Sequence, residues 1–412
     1  MKRVVVTGMG VISPIGNDLE SFEKSLREGK VGIAPITKVQ VEGSPIHLAA
    51  EVKGYDPEED IPKKEAKRMD LFSQYALSAA ARAVKHSGMD LEQIDKSRMG
   101  VILSSGIGGM QTFETEVVKM YAKEDSMKIA PLFIPMMISN MAAGQVALEY
   151  GAKGICTSVT TACAAGTHAI GEAFRSIKHG YSDVIIAGGA EAAITRASVA
   201  GFNALTALSR SEDPARGSIP FDKERNGFVI GEGGGVLIIE SLEHAQARGA
   251  TIYAEIVGYG ANCDAHHMTA PSPDGSGASA CMTLAIQEAG IAPSDVVYIN
   301  AHGTSTPLND AAETNAIKSA FGDHAKELLI SSTKSQVGHM LGAAGAVEAI
   351  ATIIGMTKGF APSTAGYKEA DPECDLNYVT NGIADADIKY ALSNNYGFGG
   401  HNASLCFKKW AD

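Results

Sequence analysis

The sequence contains little cysteine, and its cysteines are scattered. Among 412 residues there are six, none in a Cys-x-x-Cys pair, at positions 156, 163, 263, 281, 374 and 406. A disulfide-stapled secreted domain or a structural zinc site needs paired cysteines at short spacing, so neither class fits. The pattern favours a reducing, cytosolic environment.

Positive charge and long apolar runs are also scarce. There are 35 Lys and Arg against 47 Asp and Glu, a formal net charge of −12. Nonspecific binding to nucleic acid or an anionic membrane needs a broad positive potential, which this balance does not supply. MKRVVVTGMG is too short for a signal peptide, and the apolar stretch GAAGAVEAIATIIGM carries Glu348 and falls short of the ~18 residues of a membrane span. We predict a soluble cytoplasmic protein that binds neither nucleic acid nor membrane.

Motifs for nucleotides and for several hydrolases are missing. GMGVIS follows a strand-like run, but Ser13 stands where the last Gly of GxGxxG belongs and Pro14 interrupts the helix. GEGGG leads into the strand-like VLIIE instead of a helix, and there is no GxSxG, HExxH or P-loop. No cofactor and no metal ion are therefore predicted.

The sequence does carry an α/β pattern with an internal repeat. The length exceeds the ~250–300 residues of one hydrophobic core, and strand-like runs such as MGVILSSG, DVIIAGG and GVLIIE alternate with helix-like stretches such as YALSAAARAVKHSG. TSVTTACAAGTHAIGEAFRSIKHG runs from strand through a small-residue turn into a helix that ends at Gly180. SSTKSQVGHMLGAAGAVEAIATIIGMTKG repeats that order and ends at Gly359. We predict a duplicated α/β unit whose equivalent turns supply the functional groups.

One cysteine, Cys163, lies among small residues at a predicted strand-to-helix turn. Residues 155–160 are β-rich, and Ile170, Phe174 and Ile177 recur at helical spacing. A helix N-terminus stabilises an anion, so we expect this position to lower the pKa of the thiol. The local pattern alone fits a nucleophile and an inert helix-cap cysteine equally well.

Two of the 11 histidines differ from the others in their surroundings. His302 ends an apolar strand in NAHGTST, and His339 lies at the mouth of the second-half helix in TKSQVGHMLGAAGA. Either histidine alone would more often be structural. With Cys163 at the equivalent turn of the other half, we expect the three side chains to converge on one point.

Four blocks, TACAAG, NAHGTSTPLND, TKSQVGHMLGAAGAVEA and NNYGFGGHNA, resemble in order and spacing the signature blocks of the β-ketoacyl-acyl carrier protein synthases, condensing enzymes of the thiolase superfamily. The Cys-His-His set resembles the synthase II type, because synthase III has Asn for the second His and thiolases have a second Cys. The resemblance implies a thiolase-like fold whose duplicated halves form a layered α-β-α-β-α structure. One ketosynthase domain would then combine a nucleophile half, 1–250, and a histidine half, 251–412.

The resemblance implies a decarboxylative Claisen condensation of acyl and malonyl groups on acyl carrier protein in fatty acid elongation. Cys163 would form the acyl-enzyme, with the backbone N–H groups of Cys163 and Phe398 stabilising the oxyanion. His302 and His339 would stabilise the enolate left by loss of CO2.

Lys334, five residues before His339, is expected to position that histidine and tune its charge, with Glu348 as a candidate partner. Two positions depart from the family pattern: Val337, where Thr is common, and His266, where Tyr is usual. Neither belongs to the Cys-His-His set.

The same resemblance assigns residues to the substrate. The hydroxyls of Thr304 and Thr306 would bind the pantetheine arm, and Phe398 would gate the acyl tunnel. Phe133 lies in PLFIPMMISNMAA, a segment that in this family reaches across a homodimer interface. The remaining residues assigned to the substrate are Ile107, Phe202, Thr269 and Gly399.

Carrier protein is acidic, and so is this chain, so docking must use a local basic patch. KKEAKR offers Lys63, Lys64, Lys67 and Arg68, and helical spacing would place Lys64, Lys67 and Arg68 on one face. A plain solvated face explains the same residues.

Other functions stay open at this point. A catalytically silent chain-length-factor type would lack the nucleophile, and a thiol redox sensor would need a resolving cysteine, for which Cys156 is poorly placed. A discrete ketosynthase of a specialised polyketide or related pathway is the remaining alternative.

Overall fold

The computed structural model describes residues 1–122 and 127–411, and fourteen strands lie in that part of the chain. The long strands coincide with runs of Val, Ile and Gly, which suit a sheet buried on both faces. In chain order they are β1 (Val4–Ile12), β2 (Ala34–Pro35), β3 (Leu48–Ala49), β4 (Met99–Ser104), β5 (Cys156–Thr157), β6 (Val184–Glu191), β7 (Gly233–Ser241), β8 (Ala254–Cys263), β9 (Val296–Asn300), β10 (Leu329–Ser331), β11 (Phe360–Ala361), β12 (Ala384–Asp385), β13 (Tyr390–Gly397) and β14 (His401–Lys409).

Helices alternate with these strands and begin and end at recognisable caps. The Asp18 side chain accepts a hydrogen bond from the Ser21 N–H at the start of the first helix, and Gly29, with φ of 63°, ends it. The helices are α1 (Leu19–Glu28), α2 (Lys63–Ala66), α3 (Leu71–Ser87), α4 (Met110–Tyr121), α5 (Phe133–Met137), α6 (Met141–Tyr150), α7 (Ala165–Lys178), α8 (Arg196–Ala204), α9 (Leu242–Ala247), α10 (Ser276–Ala289), α11 (Pro307–Phe321), α12 (Lys334–Val337) and α13 (Ala344–Lys358).

Ten strands join in the order β10-β9-β13-β14-β8-β1-β7-β6-β4-β5. The junction between β8 and β1 divides this sheet into two groups of five strands. From the centre to the edge, the two groups have the same connectivity, with β8 and β1 as the inner strands and β10 and β5 as the edges. Directions match as well, because β9 pairs parallel with β10 and β13 just as β4 does with β5 and β6. The other pairs within each group, and the β1–β8 junction, are antiparallel. The duplication predicted from the sequence repeat is confirmed.

The helices form the layers that the resemblance implied. α7 and α13 pack against each other and contact strands of both groups, so they form the central layer. α3 covers the outer face of β1 and β7, and α10 covers β8 and β14. Glycines allow this close approach: a Cβ at Gly10 would lie 2.1 Å from the Ala79 oxygen in α3, and one at Gly260 would lie 1.9 Å from the Cys281 oxygen in α10.

The most apolar helical stretch, Leu341–Lys358, is a core element. It has 18 residues and a mean hydropathy of 1.2, enough by length and composition for a membrane span, but 89% of it is buried inside the protein. Glu348 lies within it and is itself buried. Its apolar character is explained by the central layer of the fold, where both sides of the helix meet a sheet.

Candidate active site

Cys163 lies in a short 3₁₀ turn, Ala162–Ala164, directly before α7. The strand before it is only β5, two residues long, rather than the longer β-rich run expected from the sequence. The second half builds the same turn at Leu341–Ala343 before α13. Both turns begin with a non-glycine residue at positive φ, 50° at Ala162 and 48° at Leu341. Such strained backbone persists only where the surroundings enforce it and is common at functional sites.

A cavity of about 280 Å³ opens above Cys163. Eight of the residues predicted for the site line it: Cys163, Phe202, Thr269, His302, Thr304, Thr306, His339 and Phe398. Both halves of the chain therefore contribute to one pocket, and the convergence of the cysteine and the two histidines occurs as expected. Among the lining residues that sequence reasoning missed are Leu205, Phe228, Tyr396 and Asn402.

The two histidines lie side by side beneath the cavity. Their ring centroids are 5.5 Å apart with the planes at 84°, and both rings are almost fully buried. The backbone N–H of Leu341 donates to Nδ1 of His339 over 3.2 Å, so the neutral ring carries its proton on Nε2. The rings of Phe228 and Tyr396 pack edge-on against His339 and His302 at 5.1 and 5.5 Å.

Electrostatics keep both imidazoles neutral. Burial lowers the pKa of His302 and of His339 well below the ordinary value of 6.5, and the charge of Lys334 lowers each pKa further. A neutral imidazole can donate one N–H to an oxygen without losing its proton. The pair therefore suits the stabilisation of a developing negative oxygen.

The expected lowering of the Cys163 pKa is wrong for this structure. Burial raises the pKa of the thiol to about 12, against which the charge of Lys334 and the backbone N–H groups of Phe398 and Cys163 act to lower it. The negative charge of Glu191 adds to the rise. The effect of desolvation is larger than the effects that lower the pKa, because the sulfur lies in an apolar pocket and Cys163 is only 8% exposed.

Lys334 is held by a buried polar network. Its Nζ donates to Glu348 Oε1 at 2.5 Å, and both side chains are 1% exposed. Asn395 donates to the other carboxylate oxygen at 2.6 Å, and Thr167 donates to Asn395 at 2.8 Å. A charge this deeply buried needs its partners, so the network fixes Lys334 close to the histidines.

Glu313 supports His302 from below, and sequence reasoning missed it. Its carboxylate accepts the backbone N–H groups of His302 at 2.9 Å and Gly303 at 2.8 Å. Burial raises its pKa to about 7, while those two N–H groups act to lower it. Its spacing three residues after Asp310 on α11 gave only an ordinary helix pattern, so nothing in the sequence distinguished it.

The loop that carries Phe398 is a tight glycine turn against the nucleophile. Gly399 and Gly400 have φ of 90° and 77°, a region that L-residues with side chains rarely adopt. A Cβ at Gly397 would lie 2.6 Å from the Thr161 oxygen, so this residue must be small. The Gly399 N–H donates to the Met268 carbonyl at 2.7 Å, which ties the loop to the segment that contains Thr269.

The predicted pantetheine hydroxyls face the cavity together. Thr304 Oγ1 and Thr306 Oγ1 lie 2.8 Å apart, on the turn between β9 and α11. Phe202, on α8, also lines the cavity and packs edge-on against Phe228 at 5.4 Å. His266, one of the two departures from the family pattern, is exposed and does not line the cavity.

Ile107 and Phe133 lie outside the Cys163 cavity. Ile107 lines a second cavity of about 390 Å³ with Met110, Phe113 and Met137. Phe133, on α5, stacks on Phe113 with a centroid distance of 6.3 Å. Within this chain, these two predicted pocket residues therefore do not meet the thiol.

The predicted docking face is not a single helical face. α2 ends at Ala66, so Lys67 and Arg68 lie beyond it, because the chain turns toward the buried Met69 and Asp70. The four cations, Lys63, Lys64, Lys67 and Arg68, are nevertheless all exposed. Salt bridges link Lys63 to Glu58 at 2.7 Å and Arg68 to Glu65 at 3.3 Å. Lys64 and Lys67 have no salt bridge within the described residues.

Comparison with known proteins gives one consistent result. The chain matches the family models "Beta-ketoacyl synthase, N-terminal domain" over residues 1–245 and "Beta-ketoacyl synthase, C-terminal domain" over residues 253–368. It is 51% identical over 409 residues, 99% of both chains, to the 3-oxoacyl-[acyl-carrier-protein] synthase 2 of Staphylococcus aureus. It is 48% identical over 410 residues, 99% of this chain and 98% of the relative, to the protein of that name in Synechocystis sp..

Two solved structures cover the whole chain and are themselves fully covered. The β-ketoacyl synthase from Burkholderia phymatum superposes with a TM-score of 0.92 at 37% identity. A type II polyketide ketosynthase, solved with its acyl-carrier protein and bound to a hexaketide, superposes with a TM-score of 0.90 at 35% identity. The layered fold described above is the fold of these enzymes.

Proposed function

The chain belongs to the β-ketoacyl synthase family, and we propose from this membership and the site geometry that it is a 3-oxoacyl-[acyl-carrier-protein] synthase of the second type. As an acyltransferase, it joins an acyl group and a malonyl group, both presented on carrier protein, in fatty acid elongation. The observation that carries the proposal is the meeting of Cys163 with two neutral histidines in one cavity built by both halves of the chain.

In the first half-reaction Cys163 takes the acyl group. The sulfur bonds to the thioester carbonyl carbon, the bond to pantetheine sulfur breaks, and the thiol proton leaves with the pantetheine thiol. The tetrahedral oxyanion is stabilised by the N–H groups of Cys163 and Phe398, which already face the sulfur. Because the resting thiol is protonated, attack requires the thioester to be in place when the proton moves.

In the second half-reaction the malonyl thioester loses CO2 and leaves an enolate. His339 donates its Nε2 hydrogen to the enolate oxygen, and His302 supplies the second donor from the adjacent ring. Removing one such donor typically costs about 10²–10³ in rate. The carbanion then attacks the acyl-Cys163 carbonyl and releases the 3-oxoacyl product. Lys334 acts through the histidines, keeping them neutral by its charge.

Phe398 gates the acyl tunnel, and the threonines hold the substrate arm. The ring lines the cavity above Cys163, and Gly399 and Gly400 at positive φ can adopt the backbone conformations that opening of the loop would need. Thr304 and Thr306 bind the amides of pantetheine, and Thr269, which lines the same cavity, also contacts the substrate.

We also propose that the acyl pocket is completed in a homodimer. β5 is the edge of the sheet and its residues are exposed, which leaves one row of backbone groups for a second strand. Large apolar side chains around that edge are exposed: Phe113, Val118, Ile134, Leu148 and Ile155. A patch of this kind is typical of a protein interface. A partner chain there would cover Ile107 and bring a second copy of Phe133 toward the pocket.

Three wider assignments accompany the function. The halves divide at 250/251, in the connection between α9 and β8. The assigned location is the cytoplasm, because unpaired cysteines without short spacing suit a reducing compartment. Carrier protein docks at the basic residues Lys64, Lys67 and Arg68, which are exposed on an otherwise acidic chain.

The test is chain elongation by the purified protein. Malonyl carrier protein and acyl carrier proteins of graded chain length are supplied, and 3-oxoacyl products are identified by mass. The proposal expects one round of two-carbon elongation per cycle; absence of any 3-oxoacyl product would reject it. Repeated condensation to a poly-β-ketone would instead support a specialised polyketide role, which the lower identity to the polyketide enzyme disfavours.

A further inference from the structure

Glu191, the last residue of β6, is a fully buried carboxylate that the steps above do not use. Its two oxygens accept hydrogen bonds from Ser105 Oγ at 2.7 Å and from the backbone N–H groups of Gly106 at 2.7 Å, Ile107 at 3.3 Å and Gly342 at 3.0 Å. All four partners donate, so the ionised carboxylate satisfies them. Glu191 forms no salt bridge among the described residues, so these four hydrogen bonds stabilise its negative charge.

One of these donors, Gly342, lies at the position equivalent to the nucleophile. Gly342 occupies, in the second-half turn, the place that Cys163 occupies in the first: each follows the residue at positive φ. The N–H of Cys163 faces the thiol and is the proposed donor to the oxyanion, whereas the N–H of Gly342 donates to Glu191. A Cβ at Gly342 would lie 2.2 Å from the Gly106 nitrogen and 2.9 Å from Glu191 Oε2, so the turn is shaped around the carboxylate.

Two short series of hydrogen bonds lead from Glu191, one to the predicted acyl pocket and the other to the proposed enolate donor. On one side it accepts the N–H of Ile107, the predicted wall of the acyl pocket, and Ser105 Oγ also accepts the Gly108 N–H at 2.8 Å. On the other side it accepts the N–H of Gly342, the residue after Leu341, whose own N–H orients His339. One carboxylate thus joins the acyl-pocket turn to the turn that sets the tautomer of the enolate donor.

We propose that Glu191 is a positioning residue that fixes Ile107 and His339 relative to each other, so that acyl-chain selection and malonyl decarboxylation depend on the same carboxylate. The inference rests on the proposed function, because it takes Ile107 as pocket wall and His339 as enolate donor. A merely structural carboxylate would contribute stability and leave both properties unchanged.

The experiment compares Glu191→Gln with Glu255→Gln. The first is isosteric but turns an amide NH2 toward N–H donors, so it loses the bonds on one side. The second is a matched control: Glu255 is also a buried carboxylate of the sheet, and it binds Arg3 through two hydrogen bonds of 2.7 Å on β8. For each protein we would measure thermal unfolding, malonyl-carrier decarboxylation, and kcat/KM for a series of acyl carriers.

In Glu191→Gln, decarboxylation falls about tenfold and the ratio of kcat/KM for long and short acyl chains changes about tenfold, as for the loss of a charged hydrogen bond. Glu255→Gln lowers the unfolding temperature and leaves the ratio unchanged. If Glu191→Gln lowers only the unfolding temperature, the positioning role is wrong.

A second variant keeps the test decisive if Glu191→Gln does not fold. Ser105→Ala removes one donor and leaves the carboxylate in place, so a smaller change of the chain-length ratio in either direction is expected. An unchanged ratio and unchanged decarboxylation in Ser105→Ala would overturn the proposal. A wild-type protein that neither decarboxylates nor condenses would instead reject the proposed function, and the inference with it.

Discussion

At Cys163 burial and the start of α7 act on the same thiol in opposite directions. Burial raises the pKa of the thiol to about 12, so the resting thiol is protonated at pH 7 and its acidity does not explain a nucleophile. The N–H groups that face the sulfur become more useful when charge moves to the carbonyl oxygen of a bound thioester. Reactivity at this residue therefore develops with the substrate in place.

Cys163→Ala is expected to abolish condensation, because no acyl-enzyme can form. Cys163→Gln also stops condensation but leaves malonyl decarboxylation intact or raises it, since the glutamine amide can occupy the acylated position while His302 and His339 remain. The measurement is release of CO2 and of 3-oxoacyl product from each variant. Elongation that survives in Cys163→Ala would remove Cys163 as the nucleophile.

Lys334 gives a pH-dependent prediction. In the proposed reaction the neutral histidines are the donors, and the Lys334 charge helps to hold the pKa of each well below 6.5, so wild-type decarboxylation is expected to persist into acid. Lys334→Ala removes that charge and leaves Glu348 without its cation, which raises both histidine pKa values and moves the acid limb of the pH–rate profile to higher pH.

The control for this shift is Lys178→Ala, which removes a lysine paired with Glu288 at 2.8 Å and remote from the cavity. Its acid limb should coincide with that of the wild type. A Lys334→Ala profile that is lower at every pH but unmoved along the pH axis would show that Lys334 only supports the structure.

At the scale of elements, the long strands and helices follow from sequence pattern, whereas the turns between them do not. Runs such as DVIIAGG and YALSAAARAVKHSG form β6 and α3 as predicted, because apolar periodicity and capping agree there. The strand before Cys163 shrinks to β5, and α2 stops at Ala66, since tertiary contacts decide such short segments. Glu191 and Glu313 could not be found from spacing, because each is defined by backbone N–H groups that folding brings to it: those of Glu191 lie far away in sequence, and those of Glu313 lie in the turn before α11.

The loop after β13 carries Phe398, the residue proposed to gate the acyl tunnel and so to set the order of substrate addition. Phe398→Ala should slow acyl transfer and weaken the order of substrate addition, because the ring no longer covers Cys163 before acylation. Gly399→Val keeps the ring but strains a backbone at φ of 90° and meets the His401 ring at about 2.9 Å, so acylation should slow. Single-turnover acylation and malonyl decarboxylation are measured in each variant. A Gly399→Val protein that acylates at the wild-type rate would favour a static plug over a gate.

At the scale of the whole molecule, duplication explains why the site could be predicted in part. Equivalent turns of the two halves meet at the central helices, so Cys163, His302 and His339 were expected to converge and do so. Ile107 and Phe133 were expected in the same pocket, yet Ile107 lines a separate cavity and Phe133 stacks on Phe113, which lines that cavity too. A sequence shows which residues are apolar but not which of them stay exposed in the folded chain, as Ile107 and Phe113 do.

The net negative charge of the molecule limits where an acidic carrier protein can bind. Carrier protein is acidic and this chain carries −12, so attraction must come from local cations that no carboxylate neutralises. Lys64 and Lys67 are exposed and, unlike Lys63 and Arg68, have no salt bridge among the described residues. Reversing both, Lys64→Glu with Lys67→Glu, should raise KM for carrier-bound substrates about tenfold and leave kcat nearly unchanged.

A small pantetheine thioester makes no contact with this surface, so its kcat/KM should be the same in the reversed protein and the wild type. Reversal of Lys24 and Lys30, two exposed lysines elsewhere, changes the net charge equally and serves as the matched control. If that control weakens carrier-bound substrates as strongly, the effect is one of overall charge, and the Lys64 and Lys67 site is rejected. Equal losses on carrier-bound and small substrates would indicate misfolding instead, because docking is needed for only one of them.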